Sequence, residues 1–154
     1  MSLPLRMLPL FVACALVLSG CAWLFPGEQR LVEVAGYATV AGANAPGVVY
    51  GGMLYTAGFT PRDPQTGEVV RGDITAQTHR VLDNLEGVLK GAGCTLDNVV
   101  KIDMLVADMK DVARINEVMA VRFGAHKPAR GAVSLARLPR LELLEADAIA
   151  RLPK

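Results

Sequence analysis

The segment that most constrains the fold is a helical repeat with a single apolar stripe. It begins after Asp73, a residue type favoured at helix N-caps, and stops at Gly91 and Gly93, because glycine commonly ends helices. Its apolar residues recur at helical spacing: Val81, Leu82, Leu85, Val88 and Leu89. Such a helix must bury its stripe against a second layer, so the chain is expected to fold as a layered domain.

Strand patterns on both sides of this helix predict that second layer. Residues 48–50 and 53–56 flank Gly51-Gly52, a two-residue hairpin signal, and residues 30–40 predict a strand before them. Residues 99–106 predict a strand, a second helix begins at Asp111 and ends near Gly124, and residues 130–138 and 141–152 predict the last two strands. We therefore predict an α+β fold in which two helices cover one face of a mostly antiparallel sheet. The inward residues are predicted to be Val100, Ile102, Met104 and Val106 on the strand, and Val112, Ile115, Val118 and Met119 on the second helix.

The other face of this sheet is predicted to contact another subunit. The last two predicted strands carry small residues among larger aliphatic ones: Ala132, Ala136, Ala146, Ala148 and Ala150. Small side chains permit the close approach of a second surface. We therefore expect a homo-oligomer in which sheets of different subunits pack together.

The first twenty residues have the pattern of a secretory signal peptide. Arg6 precedes an apolar run at residues 8–18, which is roughly half of the ~20 residues that a membrane-spanning helix needs. The stretch Leu18-Ser19-Gly20-Cys21 is similar to a bacterial lipobox, and Ala22 after it is typical of outer-membrane lipoproteins. The predicted organisation is a signal peptide at residues 1–20, a lipidated Cys21 with a short tether at 21–30, and one domain at 31–154. The protein is expected to be lipid-anchored in a bacterial cell envelope and to face the periplasm.

Composition argues against several classes of partner. The formal net charge is +1 and no segment concentrates Lys and Arg, so nucleic acid is not expected as a partner. Cys14 lies in the signal segment and Cys21 is modified, so Cys94 is left alone, no intrachain disulfide is expected, and Cys94 is predicted to be a packed small hydrophobe. His79 and His126 have no second ligand at metal spacing, so no metal site is predicted.

Two charged residues near the C-terminus are the strongest candidates for chemistry. Arg130 opens one predicted strand and Glu145 lies on the next, which is taken to be its neighbour in the sheet. A guanidinium group matches a carboxylate with two parallel hydrogen bonds, and a glutamate can hold or deprotonate a water molecule. The alternative, which the local pattern alone favours, is a surface salt bridge from Arg130 to Glu145 or Asp147.

A series of motifs in a fixed order favours the catalytic interpretation of Arg130 and Glu145 over the surface salt bridge. From about Gly51 to Ala150 the chain resembles the Rid (YjgF/RidA) family of imine and enamine deaminases. The motifs that carry the resemblance include Tyr55-Thr56-Ala57-Gly58, Asp63-Pro64-Gln65-Thr66-Gly67, Gly72-Asp73-Ile74, Asp97-Asn98-Val99-Val100-Lys101, Pro128-Ala129-Arg130 and Glu145-Ala146-Asp147-Ala148-Ile149-Ala150.

The resemblance implies a chorismate-mutase-like α+β fold, a homotrimer and a hydrolytic reaction that needs no cofactor. The implied substrates are 2-imino acids and their enamine tautomers, which give 2-oxo acids and ammonia. By position, Arg130 resembles the arginine that binds the substrate carboxylate, and Glu145 resembles the acid that holds the hydrolytic water. Gly58 and Ala132 would contribute backbone groups at the ligand, and Asn116 would support the pocket at the subunit interface.

Two departures from the family pattern leave alternatives open. The family commonly carries a pocket tyrosine before the first hairpin, and the equivalent stretch here is Ala43-Asn44-Ala45-Pro46-Gly47, so Tyr37 or Tyr50 is the candidate to replace it. Phe59 stands where the family usually has glutamine. One alternative is a non-catalytic module of the same fold that binds small carboxylic acids or partner proteins. Ribonuclease activity, attached to some relatives, is favoured least because the chain is almost neutral.

Overall fold

The computed structural model describes residues 29–34, 36–37, 44–139 and 141–154. Within these residues the strands are β1 (Arg30–Val32), β2 (Gly47–Tyr50), β3 (Met53–Thr56), β4 (Val99–Val106), β5 (Ala129–Ser134) and β6 (Leu144–Arg151), and the α-helices are α1 (Ile74–Gly91) and α2 (Val112–Phe123). The strands form one sheet in the order β1-β2-β3-β6-β4-β5, in which β4 and β5 are parallel and the other pairs antiparallel. The predicted α+β fold, with a mostly antiparallel sheet and two helices, is confirmed.

Helix α1 forms where its sequence pattern predicts it. The Asp73 side chain accepts a hydrogen bond from the backbone N of Ala76 at 3.0 Å, which satisfies one of the free donors at the helix start. The helix ends at Gly91, and Gly93 follows in the left-handed region at φ +79°. The five apolar residues of its predicted stripe are all buried in the core.

The position of the β6 alanines contradicts the prediction that they contact another subunit. Ala146, Ala148 and Ala150 are at most 2% exposed and pack against α1 within the same chain, so they do not form a surface for another subunit. Their small side chains let the helix approach the sheet closely. Because side chains alternate along a strand, Glu145 and Asp147 point to the opposite face.

Strand β4 contains a bulge that its alternating pattern conceals. The pairing with β6 shifts register between Val99 and Lys101, so Val99 is buried whereas Val100 is 49% exposed. The prediction that Val100 points inward is therefore wrong. The inward positions that are confirmed are those after the bulge, Ile102, Met104 and Val106.

The last two strands are not neighbours in the sheet. Strand β4 lies between β5 and β6, because α2 carries the chain across to the far side of β4 and β5 then runs parallel to it. The prediction that Arg130 and Glu145 lie on adjacent strands is therefore wrong. The two strands are also shorter than predicted, since β5 ends at Ser134 and β6 begins at Leu144.

The sheet face away from the helices, here called the open face, carries apolar residues. Leu31, Tyr55 and Val133 lie on it and are exposed in the protomer. Exposed apolar surface of this kind is typical of an interaction site. The homo-oligomer stays a prediction.

Several N-terminal predictions fall beyond this part of the chain. The signal segment at residues 1–20, Cys21 and the tether up to residue 28 lie outside the described residues. None of the helices that the structure describes is both long enough and apolar enough to cross a membrane.

Candidate active site

Arg130 lies in a groove between the edge strand β5 and helix α2. In the parallel ladder Arg130 is the partner of Ile102, a core residue of β4, so its side chain is on the helix-covered face. The groove has a volume of ≈ 210 Å³. We call it the arginine groove, and its lining residues are Asn116, Met119, Ala120, Phe123, His126, Lys127, Pro128 and Arg130.

The arginine groove brings together two of the predicted site residues and leaves a third beside it. Asn116, on α2, lines the groove with Arg130. Ala132 is on the same face of β5 but packs against the core and does not line the groove. Within the described part of the chain, Arg130 forms no ion pair, so the surface salt bridge is absent and the guanidinium group is available to a ligand.

The groove's far end is fixed by His126 and Lys127. The Nε2 atom of His126 lies 2.6 Å from the backbone O of Val99, and its ring stacks on Phe123 with centroids 6.2 Å apart. The ammonium group of Lys127 donates to the backbone O of Gly124 at 2.7 Å. These contacts hold the loop between α2 and β5, which aims Arg130 along the groove.

Glu145 occupies a separate place, the glutamate site, which it forms with Gly58. A Cβ atom added to Gly58 would clash with Oε1 of Glu145, so no other residue type fits there without moving the carboxyl group. Phe59 and Ala146, which follow Gly58 and Glu145 in the chain, exchange two backbone hydrogen bonds of 2.8 and 3.0 Å. These bonds hold Gly58 and Glu145 close together. Gly58 and Glu145, both predicted site residues, therefore lie close together, and their joint role at a ligand stays a prediction.

The surroundings of Glu145 favour its protonated form. Burial raises the pKa of this carboxyl group above its ordinary value, and the nearby carboxylates Glu142 and Asp147 raise it further. A carboxylate with a raised pKa is a stronger base once it is ionised, which suits a group that takes a proton from water.

The arginine groove and the glutamate site, here called the two half-sites of the candidate active site, lie on opposite faces of the same sheet. Arg130 is on the helix-covered face of the edge strand, whereas Glu145 is on the open face of an interior strand, with β4 between them. Side chains on opposite faces of one sheet cannot contact the same small molecule. A single protomer therefore does not unite the predicted catalytic pair.

A cavity of ≈ 270 Å³ lies beside the glutamate site and bears on the missing pocket tyrosine. Its wall includes Gly58, Phe59 and Tyr37, and the rings of Phe59 and Tyr37 meet edge to face with centroids 5.6 Å apart. The hydroxyl of Tyr37 donates to the backbone O of Asn84 at 3.0 Å, and burial raises its pKa. Tyr50 is exposed at the hairpin and lies outside the cavity. Of the two candidate tyrosines, Tyr37 is thus the one near Gly58.

The site also contains residues that the sequence did not indicate. Glu142 is 3% exposed and forms a buried ion pair with Arg62, from the loop after Gly58. Nothing in the local pattern distinguishes Glu142 from a solvated charge, because its burial depends on the loop that folds over it.

Cys94 and His79, which the sequence analysis also considered, have structural roles. Cys94 is buried, and burial raises the pKa of its thiol, as expected of a packed hydrophobe. His79 lies near Arg122, with Nδ1 3.4 Å from Nη1. Among the described residues, no three His, Cys, Asp or Glu side chains form a cluster that could hold a metal ion.

Comparison with known proteins identifies the family. The model of the Endoribonuclease L-PSP family, which is the Rid (YjgF) family, matches residues 33–152. The chain belongs to the Rid family. It is 46% identical over 109 residues to a RutC family protein of Pyrococcus horikoshii, covering 71% of this chain and 86% of the relative.

Two further Rid relatives carry names that bear on the site. The 2-iminobutanoate/2-iminopropanoate deaminase of Rattus norvegicus is 33% identical over 122 residues, covering 79% of this chain and 89% of the relative. The crystal structure of TdcF from E. coli with bound serine matches with a TM-score of 0.72 at 34% identity, covering 79% of this chain and 98% of that one. The Rid fold predicted from the motifs is confirmed.

Proposed function

We propose that the protein hydrolyses 2-imino acids and their enamine tautomers to 2-oxo acids and ammonia. The proposal is carried by two observations: the guanidinium group of Arg130 lies in an open groove without an ion pair among the described residues, and the Glu145 carboxyl group lies against a bare glycine. Burial raises the pKa of this carboxyl group. The names of the mammalian relatives support the reaction class.

The proposed roles follow from the chemistry of the groups. Arg130 binds the substrate carboxylate with two parallel hydrogen bonds, and Asn116 donates from the same groove. Glu145 accepts a proton from water, and the water oxygen forms a bond to the C=N carbon. The nitrogen takes up protons, the C–N bond breaks, and ammonia leaves as the C=O bond of the 2-oxo acid forms. These steps need no cofactor.

The proposed site is assembled between protomers. Because Arg130 and Glu145 cannot meet within one sheet, the arginine groove of one protomer has to face the glutamate site of another. Such a contact joins two different surfaces, and it closes into a ring when the rotation between protomers permits. A homotrimer, with three such contacts, is the proposed assembly.

The proposed location is the cell envelope. The lipobox around Cys21 supports lipid attachment to the outer membrane, with the domain in the periplasm. Lipid chains alone supply stable attachment when two or more are present.

The reaction is tested by measuring ammonia release from 2-iminopropanoate generated in solution. We expect Arg130→Ala to raise KM by about 10²- to 10⁴-fold, since it removes two charge-assisted hydrogen bonds worth roughly 1.5–3 kcal/mol each. We expect Glu145→Gln to lower kcat by roughly 10²- to 10⁴-fold while 2-oxobutanoate still binds. The exposed Arg71→Ala is the matched control.

Equal values of kcat/KM for the wild type and Arg130→Ala would contradict this mechanism. Binding of 2-oxobutanoate without any ammonia release by the wild type would instead identify a carboxylic-acid binding module.

A further inference from the structure

The ion pair between Arg62 and Glu142 lies beside the glutamate site and has no part in the reaction described above. The Glu142 side chain is completely buried, whereas that of Arg62 is 31% exposed. Within the described residues, neither carboxylate oxygen of Glu142 has a hydrogen bond of good geometry, so Arg62 is the group that offsets its loss of hydration. Buried ion pairs are often no more stabilising than apolar residues of the same size, so stability alone is a weak reason for this one.

The ion pair connects the two segments that build the glutamate site. Arg62 follows Gly58 in one loop, and its guanidinium group also donates to the backbone O of Gly67 at 3.0 Å. Glu142 precedes Glu145 at the entry to β6. The backbone bridge from Phe59 to β6 joins the same two segments, so the ion pair is a second link around the point where Gly58 touches Glu145.

The backbone near Glu142 is held independently of its charge. The Gln77 amide group accepts from the backbone N of Leu143 at 2.8 Å and donates to the backbone O of Leu141 at 3.1 Å. The segment can therefore keep its place when the charge of Glu142 is removed.

In the described ranges, few charged groups lie around Glu145. Glu142 precedes it, and Asp147 follows on the same face of β6. On β4, its cross-strand partner is the apolar Leu105, and the pair of Lys101 with Asp103 faces Asp147. The loop contributes Gly58 and the cation Arg62, and in the proposed assembly Arg130 of a neighbouring copy approaches from outside. Among these described groups, Glu142 is thus the one near Glu145 that is held in place by a buried ion pair.

We propose that Glu142, fixed by Arg62, is a positioning residue that sets how readily Glu145 gains and loses its proton. Its negative charge opposes the ionisation of Glu145 and so keeps that carboxylate a strong base, while Arg62 prevents Glu142 from moving away. The role rests on the proposed function of Glu145, although the charge coupling itself does not.

The test follows the titration of the Glu145 carboxyl group by carbon-13 NMR in the assembled protein, with Glu145→Gln to assign the signal. We expect Glu142→Gln to move this titration to lower pH, because a like charge is lost and Arg62 is left beside the site. Glu142→Asp keeps the charge, so its titration should stay near that of the wild type. The exposed Asp97→Asn is the matched control, and amide exchange at Phe59 and Ala146 reports whether the segments stay together.

The kinetic readout separates this role from a purely structural one. The acid limb of kcat/KM should move to lower pH in Glu142→Gln and its plateau should fall, whereas KM stays unchanged. An unmoved Glu145 titration in Glu142→Gln overturns the proposal, as does an equal displacement in Glu142→Asp. If the wild type releases no ammonia, the proposed reaction fails, but the NMR titration still decides whether Glu142 controls Glu145.

Discussion

A mixture of two impaired variants, assayed at substrate concentrations well below KM, provides the sharpest test of where the site lies. Arg130→Ala removes the carboxylate anchor from one half-site, and Glu145→Gln removes the base from the other. Because these residues lie on opposite faces of one sheet, each variant retains one intact half-site. A ring that contains both kinds of chain should therefore include some sites with both native residues.

The recovered activity follows from counting contacts between protomers. In a random one-to-one mixture, a contact is intact when its arginine comes from the Glu145→Gln chain and its glutamate from the Arg130→Ala chain. Each side of a contact has the required chain in about half of the cases, so about a quarter of the sites should be active. Mixing the doubly substituted chain with the wild type should also leave about a quarter active.

A site within one chain gives different values for the same mixtures. The two single variants would then recover nothing, whereas the double variant with wild type would keep about half of the activity. The assay is ammonia release by the whole population of co-expressed chains, and two different affinity tags, one on each chain, show that mixed oligomers form. Zero recovery from the two single variants, in oligomers shown to be mixed, would refute the shared site.

Three further predictions concern single residues. Gly58→Ala should lower kcat by about 10²-fold, because its Cβ displaces the Glu145 carboxyl group, and it should change fold stability little, because that carboxyl group is the end of a flexible side chain; normal activity contradicts this. Burial and the facing Asp103 raise the pKa of Asp147, so its ionisation opposes folding. Asp147→Asn should thus raise the free energy of unfolding at pH 8, and the gain should shrink as pH falls towards the ordinary carboxyl pKa of ~3.9; an equal gain at pH 4 and pH 8 counts against the burial argument. Cys21→Ser should release the protein from membranes into the soluble periplasmic fraction, and continued membrane association would overturn the lipobox interpretation.

Much of the fold is predictable from local patterns because each pattern carries its own physical constraint. Asp73 caps a helix whose stripe has one face to bury, and Gly51-Gly52 closes a hairpin between two short strands. The bulge at Val99 to Lys101 escapes this reasoning, because two residues of one strand oppose one of its partner and alternation fails there. Strand order cannot be predicted from local patterns either, because the crossover through α2 depends on tertiary packing, which the sequences of β5 and β6 do not reveal.

The sequence singles out the candidate site residues, but it does not predict how they are arranged in space. The motifs around Arg130, Glu145 and Gly58 single out groups with suitable chemistry, and the contact of Gly58 with Glu145 agrees with the roles they imply. Strand adjacency was assumed, and it placed Arg130 and Glu145 within reach of each other. The buried Glu142 was missed for a similar reason, because its partner Arg62 is distant in sequence and lies in a loop without a regular pattern.

The separation of the two half-sites has an energetic consequence for assembly. In a lone protomer, Arg130 has no ion pair within the described residues, and Glu145 is half-buried beside like charges that disfavour its ionised form. When the arginine groove of one copy faces the glutamate site of another, the cation approaches the carboxylate, and the charged form of each group becomes more favourable. Assembly and substrate binding then compete for the same guanidinium group, because a substrate carboxylate between the two copies takes the hydrogen bonds that would otherwise go to Glu145. In the proposed reaction, this competition leaves Glu145 free to hold water once the substrate is bound.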